Sequence, residues 1–411
     1  MSVPVTGHSE QPNLAREADD GQPERVGSVP MTRINMSYLV KDNRIRTEGC
    51  ELNVVHHCNL SCRACTHLSP VAARHVVDPN KVLEDFSILA KYYRPERIRL
   101  LGGEPLLHPA LLEVIYAVRR SGVSDRIRVV TNGLLLPRMS DVFWQEVDEV
   151  QVSVYPGKEM SVEQLGHCQS KAKLHGGDLQ LRCFDRFREA YSELGTKDKG
   201  LVRRIYNTCQ AAHFWRCHNV SDGFLFRCPQ SLFIPKLVNN DILAHPTIDG
   251  IKITDSPTFG GDLLAYLESP EPLASCYHCL GSVGKLFAHE QVSRGMWRLR
   301  QHYSTEELID LEYLAALEEM QPWIAELEQG KAWLAQQAAN WQSLAEDREQ
   351  MIRELQRIAE EREETIKQEE ARIAALKALV AGYESGRVMR VLNAAERFRQ
   401  RIVKRASTGT R

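Results

Sequence analysis

Three closely spaced cysteines, Cys58, Cys62 and Cys65, are the residues of this chain whose types and spacing most clearly predict chemistry. Three and two residues separate them, so one loop can present three thiolates to a single metal centre. A disulfide does not explain the set, because three is odd and such near neighbours cannot pair without strain. Structural zinc usually takes four protein ligands, whereas thiolate-only ligation suits an iron–sulfur cluster. The loop therefore predicts a metal centre with a coordination position left free.

Short β-rich segments lead into this loop and into a second motif. Residues 51–56 alternate and predict a strand that feeds the cysteine loop. Residues 97–101 predict a second strand, which ends at Gly102, Gly103 and Glu104. Such a Gly-Gly-Glu-Pro step alone is more often a plain turn. Behind the three cysteines it becomes a candidate binding motif.

Two further predicted strands carry polar groups where they end. Residues 127–130 are followed by Thr131 and Asn132, and residues 150–154 include Ser153. Each motif alone is weak, since a Thr-Asn-Gly step is also a common turn. Their order behind the cysteine loop, each near the end of a predicted strand, is hard to obtain by chance.

These motifs together resemble the radical SAM superfamily over roughly residues 48–160. In that family a CxxxCxxC loop holds a 4Fe-4S cluster, and the cluster chelates S-adenosylmethionine (SAM). The resemblance implies that Cys58, Cys62 and Cys65 ligate this cluster. It also implies that Glu104 receives the methionyl ammonium of SAM and that backbone without Cβ atoms approaches the same end of the cofactor. The implied cofactor-binding residues are Gly102, Gly103, Glu104, Thr131, Asn132 and Ser153.

One position departs from the family pattern. Many members have an aromatic residue before the third cysteine, where it packs on the adenine, and this chain has Ala64. His67 could fill part of that gap, although a loop histidine is more often solvated. The departure concerns the adenine contact rather than the use of the cofactor.

Helical patterns lie between the predicted strands, at residues 79–93 and 109–120. Alternating strands and helices imply a parallel sheet, and site loops at the carboxyl ends of the strands match the rule for βα barrels. Only five or six strands are found before residue 206, fewer than a complete barrel needs. The predicted fold class is therefore α/β, a partial (β/α) barrel of the radical SAM type.

A second cysteine set follows the predicted barrel. Cys209, Cys228, Cys276 and Cys279, with Gly223 at a polar turn, resemble the twitch region of radical SAM enzymes, a shortened relative of the SPASM domain. The resemblance implies a second 4Fe-4S cluster with four thiolate ligands. A structural zinc bound by the same four cysteines remains the alternative.

Cys217 is a further cysteine near this set. It could replace Cys209 as a ligand, or its thiol could donate a hydrogen atom to a substrate radical. A buried cysteine without a chemical role is the more common case. No other catalytic residue is predicted.

Composition limits the class of protein. The chain has 411 residues, 43% hydrophobic and 26% charged, and a net charge of −2, which gives no general attraction to nucleic acid or to membranes. No apolar run is long enough for a membrane span or a signal peptide. Eleven cysteines without an export signal predict reduced thiols in the cytoplasm.

The last third of the chain has the pattern of a coiled coil. From Trp323 to about Tyr383 a seven-residue repeat recurs, with charged and amide residues between the two seams. One seam holds Ile324, Lys331, Ala338, Ala345, Ile352, Ala359, Ile366, Ile373 and Val380, and the other holds Leu327, Leu334, Trp341, Arg348, Leu355, Arg362, Glu369 and Leu376. A long solvated helix is the alternative.

The sequence predicts six regions in all. They are a disordered leader (1–45), the radical SAM partial barrel (46–205), a twitch-like auxiliary cluster region (206–290), a helical linker (291–320), the coiled coil (321–384) and a basic amphipathic tail (385–411). The tail could lie on an anionic surface or on a partner, but a solvated helix end explains it equally well.

The expected function follows from the resemblance. It implies an oxidoreductase that reductively cleaves SAM to a 5′-deoxyadenosyl radical, abstracts hydrogen and oxidises a sugar-, cyclitol- or metabolite-type substrate with help from the auxiliary cluster. An electron donor such as a flavodoxin or ferredoxin is implied, and the coiled coil predicts self-association or a docking partner. The alternatives are a peptide-modifying maturase, an epimerase, and a coiled-coil assembly protein whose metal-binding head has no catalytic activity.

Overall fold

The computed structural model describes residues 37–238, 245–299 and 302–406. Most of the expected leader, residues 1–36, lies outside the described residues, as do the last five residues of the basic tail. The chain divides into two compact units, one ending at Glu328 and one beginning at Gln329. Both cysteine sets belong to the first unit.

The strands are short and lie within the first 288 residues. They are β1 Val40–Lys41, β2 Arg44–Thr47, β3 Cys50–Val55, β4 Tyr93–Pro95, β5 Arg97–Gly102, β6 Arg126–Thr131, β7 Glu149–Val154, β8 Asp178–Cys183, β9 Arg186–Arg188, β10 Asn219–Ser221, β11 Phe224–Phe226, β12 Gly250–Lys252 and β13 Leu286–Ala288.

The helices alternate with the strands and then replace them. They are α1 Pro79–Leu89, α2 Leu111–Ser121, α3 Asp141–Glu146, α4 Val162–Leu174, α5 Lys199–Asn207, α6 Gln210–His213, α7 Pro229–Phe233, α8 Phe259–Glu268, α9 Arg294–Leu299, α10 Thr305–Leu308, α11 Leu311–Ser385 and α12 Arg387–Ala406.

An eight-stranded sheet forms the centre of the first unit, in the order β12-β11-β10-β3-β5-β6-β7-β8. The six strands from β10 to β8 are parallel, and β11 and β12 continue the sheet antiparallel. Among the described strands β8 and β12 do not pair, so the sheet stays open. The predicted α/β partial barrel is confirmed.

Alternation along the strands gives the sheet one apolar face and one polar face. Ile98, Leu100 and Ile127 are fully buried and belong to the same apolar core as Phe86 of α1 and Ile115 of α2. Burial of such large aliphatic and aromatic side chains stabilises the unit by about 1.5–3 kcal/mol each. The strands predicted at 51–56, 97–101, 127–130 and 150–154 are confirmed to within one residue at most ends.

The opposite face carries a continuous polar layer. One residue from each of the six parallel strands lies in register across the sheet. In strand order these residues are Asn219, Glu51, Arg99, Arg128, Glu149 and Asp178. Arg128 Nε donates to Glu149 at 2.5 Å, and Asn219 Nδ2 donates to Glu51 at 3.0 Å. Buried charges need such partners, so the layer is held together by its own pairs.

The helix predicted over 79–93 is wrong at its carboxyl end. Asp78 caps the helix by accepting from the Asn80 amide at 2.9 Å, but α1 stops at Leu89. Tyr93 instead begins β4 and is fully buried, with its hydroxyl 2.9 Å from His218 Nδ1. Helical periodicity ran past the true end, because a tertiary contact decides the conformation of Tyr93.

Two expected region boundaries fall inside regular structure. The leader boundary at residue 45 lies within β2, which pairs with β1 and β4. The boundary at 205/206 lies within α5. The hairpin predicted at Asp222-Gly223 is confirmed, with both residues at positive φ (50° and 81°), as a tight hairpin turn requires. Because β10 pairs with β3, this hairpin extends the barrel sheet.

The carboxyl-terminal part is helical throughout its described length. One helix, α11, runs from Leu311 to Ser385 and contains Pro322, and α12 follows it. No helix in the described ranges is long and apolar enough to cross a membrane.

Candidate functional site

The three-cysteine loop begins where β3 ends. Burial raises the pKa values of Cys58 and Cys62 to about 12, and the neighbouring thiols contribute to both shifts. The sulfur atoms also accept N–H donors: the Leu60 amide lies 3.4 Å from Cys58 Sγ, and Gln291 Nε2 lies 3.0 Å from Cys62 Sγ. Mutual electrostatic effects and shared donors indicate that the loop gathers Cys58, Cys62 and Cys65 at one place.

The two glycines of the second motif make room for the chain's own backbone. A Cβ on Gly102 would lie 2.1 Å from the Val55 carbonyl oxygen, and one on Gly103 would lie 1.9 Å from that of His57. The Gly103 amide donates to Val55 at 2.8 Å, and the Glu104 amide donates to His57 at 3.0 Å. The motif therefore packs directly beneath the cysteine loop.

Glu104 is fully buried and joins two strand ends. Its carboxylate accepts from the Thr131 hydroxyl at 2.6 Å and from the amides of Asn132 and Leu106 at 2.8 and 3.1 Å. Desolvation by burial raises the pKa of this carboxyl, and the three donors oppose that shift. An ionised carboxylate has about four acceptor positions, so about one position remains for a further cation or donor.

The motif after β6 reaches the cysteine loop directly. Asn132 Nδ2 donates to Asn59 Oδ1 at 2.7 Å and lies 3.8 Å from Cys58 Sγ. Ser153, at the end of β7, is buried and hydrogen-bonds to Tyr155. Burial and the three nearby thiols raise the pKa of Tyr155. The predicted residues after β3, β5, β6 and β7 thus line one edge of the sheet.

Ala64 takes a backbone conformation unusual for a residue with a side chain, with φ at 51°. It is buried and lines a cavity together with Tyr191 and Trp297, whose rings stack with centroids 5.6 Å apart. Aromatic surface is therefore present beside the position where the family pattern places an aromatic residue. Burial lowers the pKa of His67 to about 4, so this imidazole is neutral at pH 7.

The second cysteine set also converges. Cys209, Cys228, Cys276 and Cys279 all line one cavity of the first unit, which encloses about 490 Å³ including its open mouth. Burial and the neighbouring thiols raise the pKa of Cys209 to about 12 and raise those of Cys276 and Cys279 further. Four thiols that face one shared cavity suit a metal centre better than a core.

Cys217 does not line this cavity. Its thiol hydrogen-bonds to Glu51 in the polar layer of the sheet, and its pKa is raised by burial, by Glu51 and, to a smaller extent, by Cys228. Cys217 therefore lies between the polar face of the barrel sheet and the second cysteine set.

Both sets offer sulfur ligands only, and this donor chemistry fits an iron–sulfur cluster. Among the residues that the structure describes, no three His, Cys, Asp or Glu side chains are arranged to hold a single metal ion. Cys58, Cys62 and Cys65 would hold the SAM-binding cluster, and Cys209, Cys228, Cys276 and Cys279 would hold the auxiliary one.

Sequence reasoning missed the segment that covers the cysteine loop. Gln291 forms an isolated antiparallel bridge with Cys62, and Trp297 Nε1 donates to the Cys62 carbonyl at 3.1 Å. Tyr155 stacks on His289 with ring centroids 4.8 Å apart. The predicted helical linker of 291–320 therefore begins inside the site. No local signal marks these residues, because their partners lie far away in sequence.

Comparison with known proteins identifies the domain. Residues 52–193 match the family model described as Radical SAM superfamily, so this part of the chain is a radical SAM domain. Membership of this superfamily implies a 4Fe-4S cluster and SAM.

Curated relatives match over part of their length. A GTP 3′,8-cyclase of Chlorobaculum tepidum is 30% identical over 127 residues, which is 30% of this chain and 38% of that protein. An S-adenosylmethionine-dependent nucleotide dehydratase of a Thermoplasmatales archaeon is 27% identical over 147 residues, 32% of this chain and 51% of that protein. The chain thus spans about a third to a half of these two relatives.

Solved structures give weak overall superpositions. BtrN in complex with AdoMet and 2-DOIA is 16% identical, covers 56% of this chain and 98% of its own, and has a TM-score of 0.30. SuiB of Streptococcus suis bound to S-adenosylmethionine is 13% identical, covers 56% of this chain and 68% of its own, and has a TM-score of 0.27.

Proposed function

We propose that this protein is a radical SAM oxidoreductase that oxidises an alcohol or amine carbon of a sugar-like, cyclitol or related small metabolite. The radical SAM domain over residues 52–193 supports the class of chemistry. The observation that carries the oxidoreductase part is the cavity lined by the four thiols of a second set, Cys209, Cys228, Cys276 and Cys279.

When bound, the two clusters and SAM would supply hydrogen-atom abstraction from the substrate carbon and an acceptor for the electron left behind. The remaining proton leaves the hydroxyl or amino group, and a carbonyl or imine results. An external one-electron donor of the flavodoxin or ferredoxin type is required to start the reaction.

The chain's own residues position these groups. Cys58, Cys62 and Cys65 would hold one cluster, and Glu104 keeps the ends of β5 and β6 together through Thr131. Gly102 and Gly103 let that edge pack against the cysteine loop, while Asn132 and Ser153 are the polar side chains at the ends of β6 and β7. Tight burial of this edge excludes water, which a radical reaction requires.

The polar face of the sheet supports a hydroxyl-rich substrate. Asn53 is 1% exposed, and its carbonyl oxygen has no hydrogen-bond partner among the described atoms. It lies on β3 between the cysteine loop and Glu51 of the polar layer, which pairs with Arg99 across β5. Buried polar groups favour a ligand that can hydrogen-bond to them, so a sugar-like molecule fits this face better than an apolar one.

The Cys217–Glu51 contact supports a role for the auxiliary set in substrate oxidation. It places the region of the second thiols beside the polar face of the sheet. An electron acceptor close to the substrate would make oxidation favourable, since cysteine-ligated clusters span a wide range of potentials.

The first experiment tests cofactor use. We expect anaerobic reconstitution of the full chain to give about eight irons, two cubes of four, and 5′-deoxyadenosine when SAM and a reductant are added. The triple variant Cys58→Ser, Cys62→Ser, Cys65→Ser should keep about half the iron and form no 5′-deoxyadenosine. A wild-type protein that binds zinc alone and never cleaves SAM would contradict the proposal and favour the assembly protein.

The second experiment tests the substrate class. Deuterated sugars and aminocyclitols are supplied one at a time, and deuterium in 5′-deoxyadenosine reports the substrate. Guanosine triphosphate and a model peptide join the panel, because the curated relatives include GTP 3′,8-cyclases and maturases act on peptides. A product two hydrogens poorer than its substrate supports the oxidoreductase; an unchanged mass with inverted stereochemistry would favour an epimerase.

A further inference from the structure

A segment far along the chain forms part of the cysteine loop. The Arg63 amide donates to the Glu290 carbonyl at 3.0 Å, and the Val292 amide donates to the Ser61 carbonyl at 2.9 Å. Cys62 and Gln291 face each other in this antiparallel bridge. The loop of the radical SAM domain is therefore paired along one side by residues that lie outside the domain of residues 52–193.

The Gln291 side chain uses both ends of its amide on the loop. Its oxygen accepts from the Ser61 amide at 2.7 Å, and its nitrogen donates to Cys62 Sγ at 3.0 Å. Because the two contacts need opposite ends of the amide, they fix its orientation. The nitrogen is therefore aimed at the sulfur atom.

The second cysteine set anchors the segment that carries Gln291. Tyr191 bridges with Cys279, and the Leu280 amide donates to the Ala190 carbonyl at 3.1 Å. Gly284 then packs so closely that a Cβ on it would lie 1.8 Å from the Glu189 carbonyl oxygen. Gln291 follows Cys279 closely in the sequence, so order around the second set fixes where this side chain lies.

An N–H donor on a cysteine sulfur changes the redox properties of a cluster. The hydrogen bond withdraws electron density from the sulfur and stabilises the more negative, reduced state of the cluster. Hydrogen bonds to the sulfurs are among the determinants of cluster potential. A donor on Cys62 thus makes the cluster easier to reduce.

We propose that Gln291 is a positioning residue that orients Cys62 and raises the reduction potential of the cluster at Cys58, Cys62 and Cys65. The inference rests on the proposed function, since it needs a cluster at these cysteines. It adds that the auxiliary region acts on the SAM-binding cluster through a hydrogen bond as well as through any electron transfer.

The experiment measures potential and iron in the full chain. Gln291→Met keeps the size of the side chain and removes the donor and the acceptor. Gln291→Glu keeps an acceptor for the Ser61 amide, but an ionised carboxylate cannot donate to sulfur. Gln164→Met, on the exposed amino end of α4, is the matched control. The signal that changes when SAM is added is followed by electron paramagnetic resonance during a redox titration.

We expect Gln291→Met to keep the wild-type iron content and to lower the reduction equilibrium constant about tenfold, or about 59 mV for a one-electron couple. Gln291→Glu should lower it further, because it adds a negative charge, and Gln164→Met should leave it unchanged.

Two outcomes would overturn the inference, and they differ from failure of the proposed function. Unchanged potentials in both Gln291 variants would show that the donor has no effect on the cluster. If Gln291→Met loses its iron, Gln291→Glu decides, and wild-type potential in that variant overturns the inference. A wild-type chain without any SAM-sensitive signal would instead remove the proposed function and this inference together.

Discussion

The Thr131 hydroxyl donates a 2.6 Å hydrogen bond to the carboxylate of Glu104, so the ends of two neighbouring parallel strands are joined inside the site. Both residues are buried, Glu104 completely. The same hydroxyl accepts from the Gly133 amide at 3.0 Å. The geometry of the cofactor-facing edge therefore depends on one side-chain pair.

Replacing Thr131 by valine tests this pair. The shape is kept, but Glu104 loses one of its three donors and the Gly133 amide loses its acceptor. Hydrogen bonds to charged groups contribute about 1.5–3 kcal/mol, so we expect the free energy of unfolding to fall by about 2 kcal/mol in urea denaturation. Thr258→Val, at an exposed threonine, should change it by less than about 0.5 kcal/mol. Equal effects of the two changes would refute the assignment.

A pair of glycine-to-alanine changes tests the packing beneath the cysteine loop. A Cβ on Gly103 would lie 1.9 Å from the carbonyl oxygen of His57, and backbone cannot move aside cheaply. We expect Gly103→Ala to cost about 3 kcal/mol or more and to lower iron retention at the first cysteine set.

The control for that change is Gly166→Ala. Gly166 lies in α4, and a Cβ added there would meet nothing within 4 Å, so alanine should stabilise the helix by about 0.5–1 kcal/mol. A Gly103→Ala protein as stable as Gly166→Ala would show that the close approach to His57 is unimportant.

Acid should weaken the fold through buried histidines. His218 is fully buried between the hydroxyls of Tyr38 and Tyr93, each 2.9 Å from a ring nitrogen. Burial, helped by Arg216 and Arg227, lowers its pKa from 6.5 to about 3.

The sign of this effect follows from the lowered pKa. The unfolded chain binds the proton more readily, so the stability contributed by neutral His218 is complete above pH 6.5 and is lost as pH falls toward 3. At pH 5 the loss is about 2 kcal/mol. Urea denaturation across this range should show the slope, which His218→Gln should flatten and the exposed His167→Gln should not. A slope that His218→Gln leaves intact would contradict this.

Two cysteine changes separate the ligands of the second set from Cys217. The Cys209 thiol lines the shared cavity, whereas the Cys217 thiol bonds to Glu51. We expect Cys209→Ser to lose about half of the eight irons and Cys217→Ser to keep them all, as measured by iron analysis after anaerobic reconstitution. Iron loss in Cys217→Ser alone would make Cys217 the ligand instead.

The long helix predicts self-association. Leu334 and Leu355 occupy the same seam of the seven-residue repeat and are 61% and 59% exposed. A coiled coil would bury both. Light scattering should therefore show an oligomer that Leu334→Glu with Leu355→Glu dissociates. Gln350→Glu, outside the two seams, should have no effect, and a monomeric wild-type chain would leave the solvated helix as the explanation.

Local sequence determined a large part of the fold and of the candidate site. Period-two alternation with β-branched residues located β3, β5, β6 and β7, since it depends only on neighbours along the chain. The Asp222-Gly223 step located the hairpin, because these residues tolerate positive φ. Cysteine spacing indicated both thiol sets, although their roles as ligands remain predictions.

Tertiary structure alone decided the rest. Gln291 meets Cys62 although the two lie 229 positions apart in sequence, and Glu51 reaches Arg99 and Asn219 only because three strands lie in register. Tyr93 leaves its predicted helix for a buried contact with His218. Such pairs have no signature in either segment, because each side chain is ordinary by itself and gains its role from the path of the chain between them.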